Sequence, residues 1–316
     1  MIHYCPITYE LIESDALYST KGLRQLSPKL ETLKPLPYSA QEQRSEAIAR
    51  STKLSIQGVQ SKLSAILDLQ QQTFVLVDNG GRYILKPESD SWPELPANEA
   101  ISMTLAERFN IEVPIHGLVF TKDGGLTYFI KRFDRKKEDI HKKNDKIAVE
   151  DFAQLSDKDR ETKYNSTIEK VIKIIDDFAT FPRIERTKLF RRILFNFVIG
   201  NEDMHLKNYS LINQKNTWQL APAYDFLNTS IAISNPSEES ALPINGRKNK
   251  LKKEDFIDYL AIERLDLTTK IVNGILVELY DLKPTFIELI ERSYLTPLMK
   301  KSYIDLLNQR YDRLFG

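Results

Sequence analysis

Residues 201–208 read Asn-Glu-Asp-Met-His-Leu-Lys-Asn, and this stretch says more about the fold than any other part of the chain. It sets Asp203 five positions before Asn208, directly after the apolar run 193–199. A further acidic residue, Asp225, follows beyond two short β-like segments. Such groups meet two needs of phosphoryl transfer: a carboxylate orients the attacking hydroxyl and accepts its proton, and hard oxygen ligands hold Mg²⁺.

The same D-x-x-x-x-N spacing marks the catalytic loop of protein kinases, where a second metal-binding aspartate also follows downstream. The asparagine supplies a neutral oxygen and the later aspartate a charged one. Together they hold the metal without overloading the site with negative charge. The stretch therefore predicts a kinase.

Length, composition and charge set broad bounds on the protein. The 316 residues predict about two domains or lobes. Apolar residues make up 41% of the chain and charged residues 28%, as is usual for a globular protein. The formal net charge of +1 gives no global argument for binding nucleic acid or an anionic membrane.

Cysteine and histidine usage excludes two kinds of site. Cys5 is the only cysteine, so an intrachain disulfide is impossible and a reducing compartment fits. The four histidines are scattered without the spacing of zinc ligands.

The chain lacks a signal-like start, and no run approaches the roughly 20 apolar residues of a membrane-spanning helix. We expect a cytoplasmic protein without a membrane partner.

The residue pattern changes near residue 131, which predicts an α+β fold with two lobes like those of protein kinases. Residues 1–131 are expected to form a β-rich amino-terminal lobe after an irregular lead-in that ends in a short helix at 40–49. Five strands are predicted at 63–67, 74–77, 83–86, 117–121 and 126–131, with one helix at 94–109 inserted after the third.

Residues 132–316 are expected to form a mainly helical carboxy-terminal lobe. Periodic apolar residues predict helices at 167–179, 185–199, 253–260, 268–280 and 297–315. Thr296 precedes Pro297 and is the expected N-cap of the last helix.

Two features of the amino-terminal half suit a nucleotide. Lys86 closes the third predicted strand, where its ammonium group would suit a phosphate, and Glu99 on the following helix is placed to pair with it. A solvated lysine and a surface glutamate are the alternatives. The loop 55–62 precedes the first strand, where kinases carry a glycine-rich loop, but Gly58 is its only glycine. Amides near Gly58 would still suit an anion, and an ordinary turn is the alternative.

Several motifs follow one another in a fixed order: Ser-Ile-Gln-Gly-Val-Gln-Ser-Lys at 55–62, Ile-Leu-Lys-Pro at 84–87, Asn-Glu at 98–99, Lys-Arg-Phe-Asp-Arg at 131–135, Glu-Asp-Phe-Ala-Gln at 150–154, the stretch 200–211 and Leu-Ala-Pro-Ala-Tyr-Asp at 220–225. In this order they resemble the HipA family of serine/threonine kinase toxins from bacterial type II toxin–antitoxin modules. The resemblance implies a two-lobed kinase-like fold that uses ATP and Mg²⁺.

The resemblance also implies roles for individual residues. Asp203 would be the catalytic base, Asn208 and Asp225 would hold Mg²⁺, and Lys86 would contact the ATP phosphates. Phe133 would lead out of the adenine-binding hinge.

The first residue of the serine loop carries a further implication. Ser55 matches the serine that family members autophosphorylate, which switches the kinase off by displacing the loop from the nucleotide site. A phosphoserine adds about −1.5 to −2 charges beside acidic metal ligands, which fits such a displacement.

Only 54 residues precede Ser55, fewer than in full-length family members, so the chain is similar to the short HipT-type members. In those systems a separate small protein, HipS, resembles the missing subdomain, and a HipB-like antitoxin binds DNA. Gln57 occupies the position of a second loop serine, which leaves Ser55 as the expected regulatory serine. Family members phosphorylate a serine on an aminoacyl-tRNA synthetase and arrest growth.

Two other functions remain open on the sequence. D-x-H-x-x-N also resembles the loop of phosphoinositide-type kinases, which indicates a small-molecule or lipid kinase, although the near-neutral charge argues against a membrane-facing surface. A non-enzymatic nucleotide-binding regulator is the other alternative. The presence of all the expected catalytic residues argues against it. Since no basic recognition helix is visible, DNA contact is expected only through the antitoxin.

Overall fold

The computed structural model describes residues 3–50, 60–136, 146–156, 166–233 and 238–316. The chain divides into two compact units. Unit 1 comprises Met1–Ile101, Pro114–Arg132 and Glu288–Lys300, and unit 2 comprises Ser102–Val113, Phe133–Ile287 and Lys301–Gly316. The sequence pattern predicts one division near residue 131, whereas each unit takes its residues from three separate stretches of chain.

The amino-terminal segment of unit 1 carries more secondary structure than the sequence predicts. Strands β1 (His3–Tyr4) and β2 (Leu11–Ile12) form an antiparallel pair. Helix α1 (Thr20–Leu26) follows, capped by the Ser19 hydroxyl, which accepts from the Gly22 amide at 3.1 Å. The expectation of an irregular lead-in is wrong here, because elements this short leave too little periodicity to recognise. Helix α2 (Ala40–Arg50) confirms the short helix predicted at 40–49.

A five-stranded antiparallel sheet with the order β4-β3-β5-β7-β6 forms the main body of unit 1. Its strands are β3 (Leu63–Asp68), β4 (Thr73–Leu76), β5 (Tyr83–Pro87), β6 (His116–Phe120) and β7 (Leu126–Lys131). Helix α3 (Leu95–Arg108) is inserted after β5 and contributes residues to both units. The five predicted strands and the inserted helix are confirmed, each bound within one residue.

The core of unit 1 is centred on aromatic side chains of this sheet. The Phe74 ring lies 5.0 Å from that of Tyr83 and 5.1 Å from that of Phe129, between ring centroids. Helix α2 is joined to the sheet through the buried Gln43 side chain, which exchanges hydrogen bonds of 3.0 and 3.1 Å with the Thr127 hydroxyl. A buried amide satisfied in this way fixes the helix on the sheet without leaving an unpaired polar group.

Unit 2 is mainly helical and holds a three-stranded antiparallel sheet of order β10-β9-β8. Its elements are β8 (Val149–Asp151), α4 (Ile168–Phe178), α5 (Pro182–Ile199), β9 (Ser210–Gln214), β10 (Thr217–Leu220), α6 (Thr229–Ala232), a π-helix (Asp255–Arg264) and α7 (Thr269–Asp281). Helices α8 (Lys283–Arg292) and α9 (Pro297–Phe315) contribute residues to both units. Within the described ranges, no helix has the length and apolar character needed to cross a bilayer.

In the carboxy-terminal half, the structure differs from the sequence predictions at three helices. The helix predicted at 253–260 is the wider π-helix, in which the Leu265 amide donates to the Leu260 carbonyl at 2.9 Å. The sequence does not predict this helix type, because a short apolar periodicity does not distinguish a π-helix from an α-helix. Helix α8 was not predicted. Helix α5 begins at Pro182, three residues earlier than predicted, with proline at a first-turn position that needs no amide donor. The N-cap Thr296 is confirmed, since its hydroxyl accepts from the Met299 amide at 3.4 Å.

Helix α5 is the central helix of unit 2. Most of its residues from Leu189 to Ile199 are buried. The Phe195 ring packs against Phe109 at 6.2 Å, Phe226 at 5.3 Å and Phe286 at 6.2 Å. Rings this close add to the burial of their apolar area, so the carboxy-terminal end of α5 is held in a fixed place. The candidate catalytic loop begins at that end.

Candidate active site

Gly200 ends helix α5 and starts the loop. Its φ of 72° lies in the left-handed region, and its amide donates to the carbonyls of Asn196 and Phe197. A Cβ at this position would lie 2.3 Å from Leu306 Cδ2 and 2.9 Å from Ser230 Oγ. Glycine therefore meets two demands here, the left-handed turn and the close approach of neighbouring side chains.

The loop that follows is closed by bonds to one carbonyl. The Asp203 carbonyl oxygen accepts from the His205 amide at 2.9 Å and from Asn208 Nδ2 at 2.9 Å. The Lys207 amide donates to His205 Nδ1 at 3.2 Å, and residues Leu206–Asn208 form a single 3₁₀ turn. Since the Asn208 side chain uses its nitrogen for Asp203, its Oδ1 is the atom of that amide suited to a cation.

Asn201 connects the two candidate acidic residues. Its Nδ2 donates to the Asp225 carbonyl at 3.4 Å and to Asn196 Oδ1 at 3.0 Å, and its Oδ1 accepts from the Asp203 amide at 3.3 Å. The residue is 2% exposed. One buried side chain thus contacts the backbone of both aspartates, although they lie 22 positions apart in the sequence. The sequence predicts no role for Asn201, because the residue pattern there shows only a polar residue directly after a helix-ending glycine.

Further bonds join the loop to the segment after Asp225. The Glu202 amide donates to Thr229 Oγ1 at 2.7 Å, and Ser230 Oγ donates to Glu202 Oε1 at 2.6 Å. Burial raises the pKa of Glu202, and the bond from Ser230 opposes that shift in part. The Tyr224 hydroxyl donates to the Lys207 carbonyl at 3.0 Å. These bonds hold Asp203, Asn208 and Asp225 in one region of unit 2.

Asp225 itself has an uncommon backbone conformation, with a φ of 57°. A residue with a side chain adopts this left-handed region at a cost, although aspartate tolerates it better than most. The preceding Tyr224 is half-buried, and desolvation raises the pKa of its phenol. Its ring stacks on Phe133 with 5.7 Å between centroids. Phe133 therefore lies beside the segment that carries Asp225, and its predicted part in binding adenine stays a prediction.

Unit 1 holds the other predicted pair. Lys86 Nζ on β5 lies 2.5 Å from Glu99 Oε1 on α3, and the two side chains are 4% and 3% exposed. The ammonium group also lies over the Tyr128 ring at 5.5 Å from its centroid. The structure thus places the predicted partners in contact, which removes the alternatives of a solvated lysine and a surface glutamate. A charge this deeply buried needs such a partner.

The last predicted groups are two loop residues and the metal ligands. Ser55 and Gly58 lie outside the described residues. Within the described part of the chain, no three His, Cys, Asp or Glu side chains converge to hold a metal ion. A Mg²⁺ site in phosphoryl transfer takes one or two protein oxygen groups and fills its other positions with phosphates and water. Asn208 and Asp225 fit that donor set.

Comparison with known proteins gives consistent results. The family model described as HipA-like C-terminal domain matches residues 54–285. Two bacterial relatives carry "Putative kinase" in their names. The one from Haemophilus influenzae is 30% identical over 239 residues, covering 72% of this chain and 69% of the relative. The one from Sinorhizobium fredii is 31% identical over 244 residues, covering 72% of this chain and 57% of the relative.

Two solved structures share the fold. One is HipA of Shewanella oneidensis, in a toxin–antitoxin complex with HipB and operator DNA; it has a TM-score of 0.70 and 19% identity, covering 90% of this chain and 74% of that chain. The other is the proinflammatory kinase CtkA of Helicobacter pylori, with a TM-score of 0.53 and 16% identity, covering 76% of this chain and 90% of that chain. The predicted α+β, protein-kinase-like fold is confirmed.

Replacing the helix-ending glycine tests the left-handed turn that starts the loop. Gly200→Ala should lower the free energy of unfolding by about 1–3 kcal/mol, because alanine is strained at this φ and its Cβ meets Leu306. Gly274→Ala is the matched control: this glycine lies within α7, and an added Cβ meets nothing within 4 Å. It should gain about 0.5–1 kcal/mol. Denaturant unfolding followed by circular dichroism measures both; equal effects would contradict the turn.

The buried ion pair in unit 1 makes a second prediction. Glu99→Gln deprives the buried Lys86 ammonium of this carboxylate and should cost about 3–5 kcal/mol of unfolding free energy. The double variant Lys86→Met/Glu99→Leu should recover most of that loss, because it removes both charges from the interior. Asp177→Asn, which breaks an exposed pair with Lys173, should change stability little. A double variant as unstable as Glu99→Gln would show that packing, rather than the charge, sets the effect.

Proposed function

Because the chain belongs to the HipA-like C-terminal domain family, we propose that it is an ATP- and Mg²⁺-dependent kinase that phosphorylates serine or threonine on a protein. The observation that carries this proposal is the loop in which Asn201 contacts the backbone of both Asp203 and Asp225. Phosphoryl transfer requires a base and metal-binding oxygens at fixed positions, and this loop provides such groups on a hydrogen-bonded backbone.

Three residues have a chemical task in this proposal. Asp203 is exposed, so a substrate hydroxyl reaches its carboxylate, which orients that hydroxyl and accepts its proton. Asn208 Oδ1 and the Asp225 carboxylate hold Mg²⁺. When bound, the metal neutralises charge on the nucleotide phosphates. The hydrogen bonds to the loop backbone keep the three side chains in place before substrate arrives, so little reorganisation is needed.

Lys86 is proposed to contact the phosphates of ATP. A lysine on the third strand of the sheet and a glutamate on the following helix form the corresponding ion pair of protein kinases. The 2.5 Å contact with Glu99 supports this assignment, because it holds the ammonium group in one place. Phe133 is proposed to contribute to the adenine site.

The biological setting is proposed from the family. The kinase would act as the toxin of a toxin–antitoxin module in the cytoplasm, phosphorylate an aminoacyl-tRNA synthetase and arrest growth. A HipB-like antitoxin would neutralise it and carry the contact with DNA, as the complex of the Shewanella oneidensis relative with HipB and operator DNA suggests. A HipS-like small protein is a further proposed partner, and phosphorylation of Ser55 would switch the kinase off.

Removal of the proposed base tests the activity directly. Asp203→Asn should reduce phosphoryl transfer from ATP to protein by about 10²–10⁴-fold, the range for lost acid–base catalysis. The measurement follows incorporation of labelled phosphate into protein substrates in a cell extract. Asp305→Asn, an exposed aspartate on α9 paired with Lys301, is the control and should keep full activity. Unchanged activity in Asp203→Asn would remove this residue from its role. Phosphate on a lipid or metabolite alone would favour a small-molecule kinase.

Autophosphorylation makes a separate prediction. Purified protein incubated with ATP and Mg²⁺ should gain the mass of one phosphate, and both Ser55→Ala and Asp203→Asn should abolish this gain. Ser61→Ala is the matched control from the same loop and should still gain it. A phosphate retained in Ser55→Ala would contradict the assignment of the regulatory serine. ATP binding with no transfer in any variant would indicate a nucleotide-binding regulator instead.

A further inference from the structure

Unit 2 carries a groove to which the proposed reaction assigns no task. It has a volume of about 430 Å³ and lies between residues 110–112, the amino-terminal part of α5 and the start of α7. We call it the α5 groove and define it by Ile111, Arg183, Ile184, Lys188, Arg192 and Ile271. Its volume is within the range of sites that hold a ligand or a few side chains of a partner.

The apolar part of the groove is accessible. Ile184 on α5 is 56% exposed and Ile271 on α7 is 39% exposed, while Ile111, which also lines the groove, is buried. Two exposed isoleucines from different helices, facing one concave surface, leave apolar area in contact with water. An apolar side chain of a partner would remove that area from water.

The polar part of the groove centres on Arg192. This side chain is 3% exposed, and its Nη2 donates to the Ala221 carbonyl at 2.6 Å. Within the described residues it forms no ion pair: Glu185 lies near but binds the Leu220 amide at 2.8 Å and Lys188 at 2.9 Å, and Glu112 lies beyond ion-pair distance. Burial lowers the pKa of Arg192, although a guanidinium keeps its charge at neutral pH. A buried cation with one hydrogen bond favours an acidic partner.

The other cations of the groove already have carboxylate partners. Lys188 pairs with Glu185 at 2.9 Å, Arg191 with Glu278 at 2.8 Å, and Arg183 with Asp266 at 3.9 Å. The groove is therefore no broad positive surface of the kind that follows a nucleic-acid backbone. Its charge and its apolar walls fit a single acidic group with apolar neighbours.

We propose that the α5 groove binds a short segment of a protein partner, in which an acidic side chain reaches Arg192 and flanking apolar side chains pack on Ile184 and Ile271. Charge complementarity at one buried point fixes the register of the segment, and apolar contact supplies area. The proposal is independent of the phosphoryl-transfer reaction, because binding needs neither ATP nor Asp203.

The test uses a short fluorescein-labelled peptide that carries one glutamate between two leucines, and a matched peptide with glutamine in place of the glutamate. Fluorescence polarisation is measured on the full chain without ATP. The glutamate peptide should bind at least about 10-fold more tightly, as expected for a charge-assisted hydrogen bond in a buried site. Equal affinities of the two peptides would overturn the proposal, as would no saturable binding up to about 1 mM.

Variants locate the binding site. Ile184→Ser should weaken binding of the glutamate peptide by about 5–10-fold through lost apolar contact, and folding should be unaffected because the side chain is exposed. Val277→Ser removes an exposed apolar residue of α7 that does not line the groove and should leave binding unchanged. Equal effects of these two variants would overturn the assignment to this groove. Tighter binding of a single-stranded oligonucleotide than of the peptide would replace the proposed partner with a nucleic acid.

Discussion

The buried side chain of Asn201 is the contact on which the candidate site depends. Two carboxylates that serve one reaction repel each other, so their spacing has to be set by the fold rather than by the side chains themselves. Asn201 sets it by binding the backbone of both, accepting from the Asp203 amide and donating to the Asp225 carbonyl. An aspartate at this position would have no donor for the Asp225 carbonyl and would add a third negative charge. The amide is the side chain that satisfies both backbone groups while staying neutral.

The Asn201 hydrogen bonds depend on neighbouring rigid elements that hold the loop in place. Helix α5 is buried over its carboxy-terminal half and ends in the left-handed Gly200, so the chain leaves the helix in one direction. Asn196 on the last turn of the helix gives Asn201 a further bond at 3.0 Å. In unit 1 the buried Lys86–Glu99 pair has a comparable role. A buried pair is weak support for stability, but it keeps an ammonium group at a defined point of the sheet.

The sequence predicts the elements whose apolar residues recur over many positions and the contacts whose partners lie close together in the chain. The five strands of unit 1, the inserted helix and the longer helices follow from periodicity, and the Lys86–Glu99 contact follows from the order of strand and helix. The D-x-x-x-x-N spacing predicts Asp203 and Asn208 because both ends of that pattern lie within one loop. Asn201 was missed because its partner Asp225 lies 24 positions away, and the buried Arg192 was missed because its partner Ala221 is similarly distant. Side-chain partners far apart in the chain leave no periodic trace.

The backbone of Asp225 shows how these contacts combine. A non-glycine residue in the left-handed region stores about 1–3 kcal/mol of strain. The surrounding segment is held at four points: Arg192 donates to the Ala221 carbonyl at 2.6 Å, the Ala223 amide donates to the Glu112 carbonyl at 2.7 Å, and Tyr224 and Asn201 bind at 3.0 and 3.4 Å. Each contributes about 0.5–1.5 kcal/mol net, so together they offset strain of that size. Two of the four involve residues of the α5 groove wall, so that wall helps to hold Asp225 in its strained conformation.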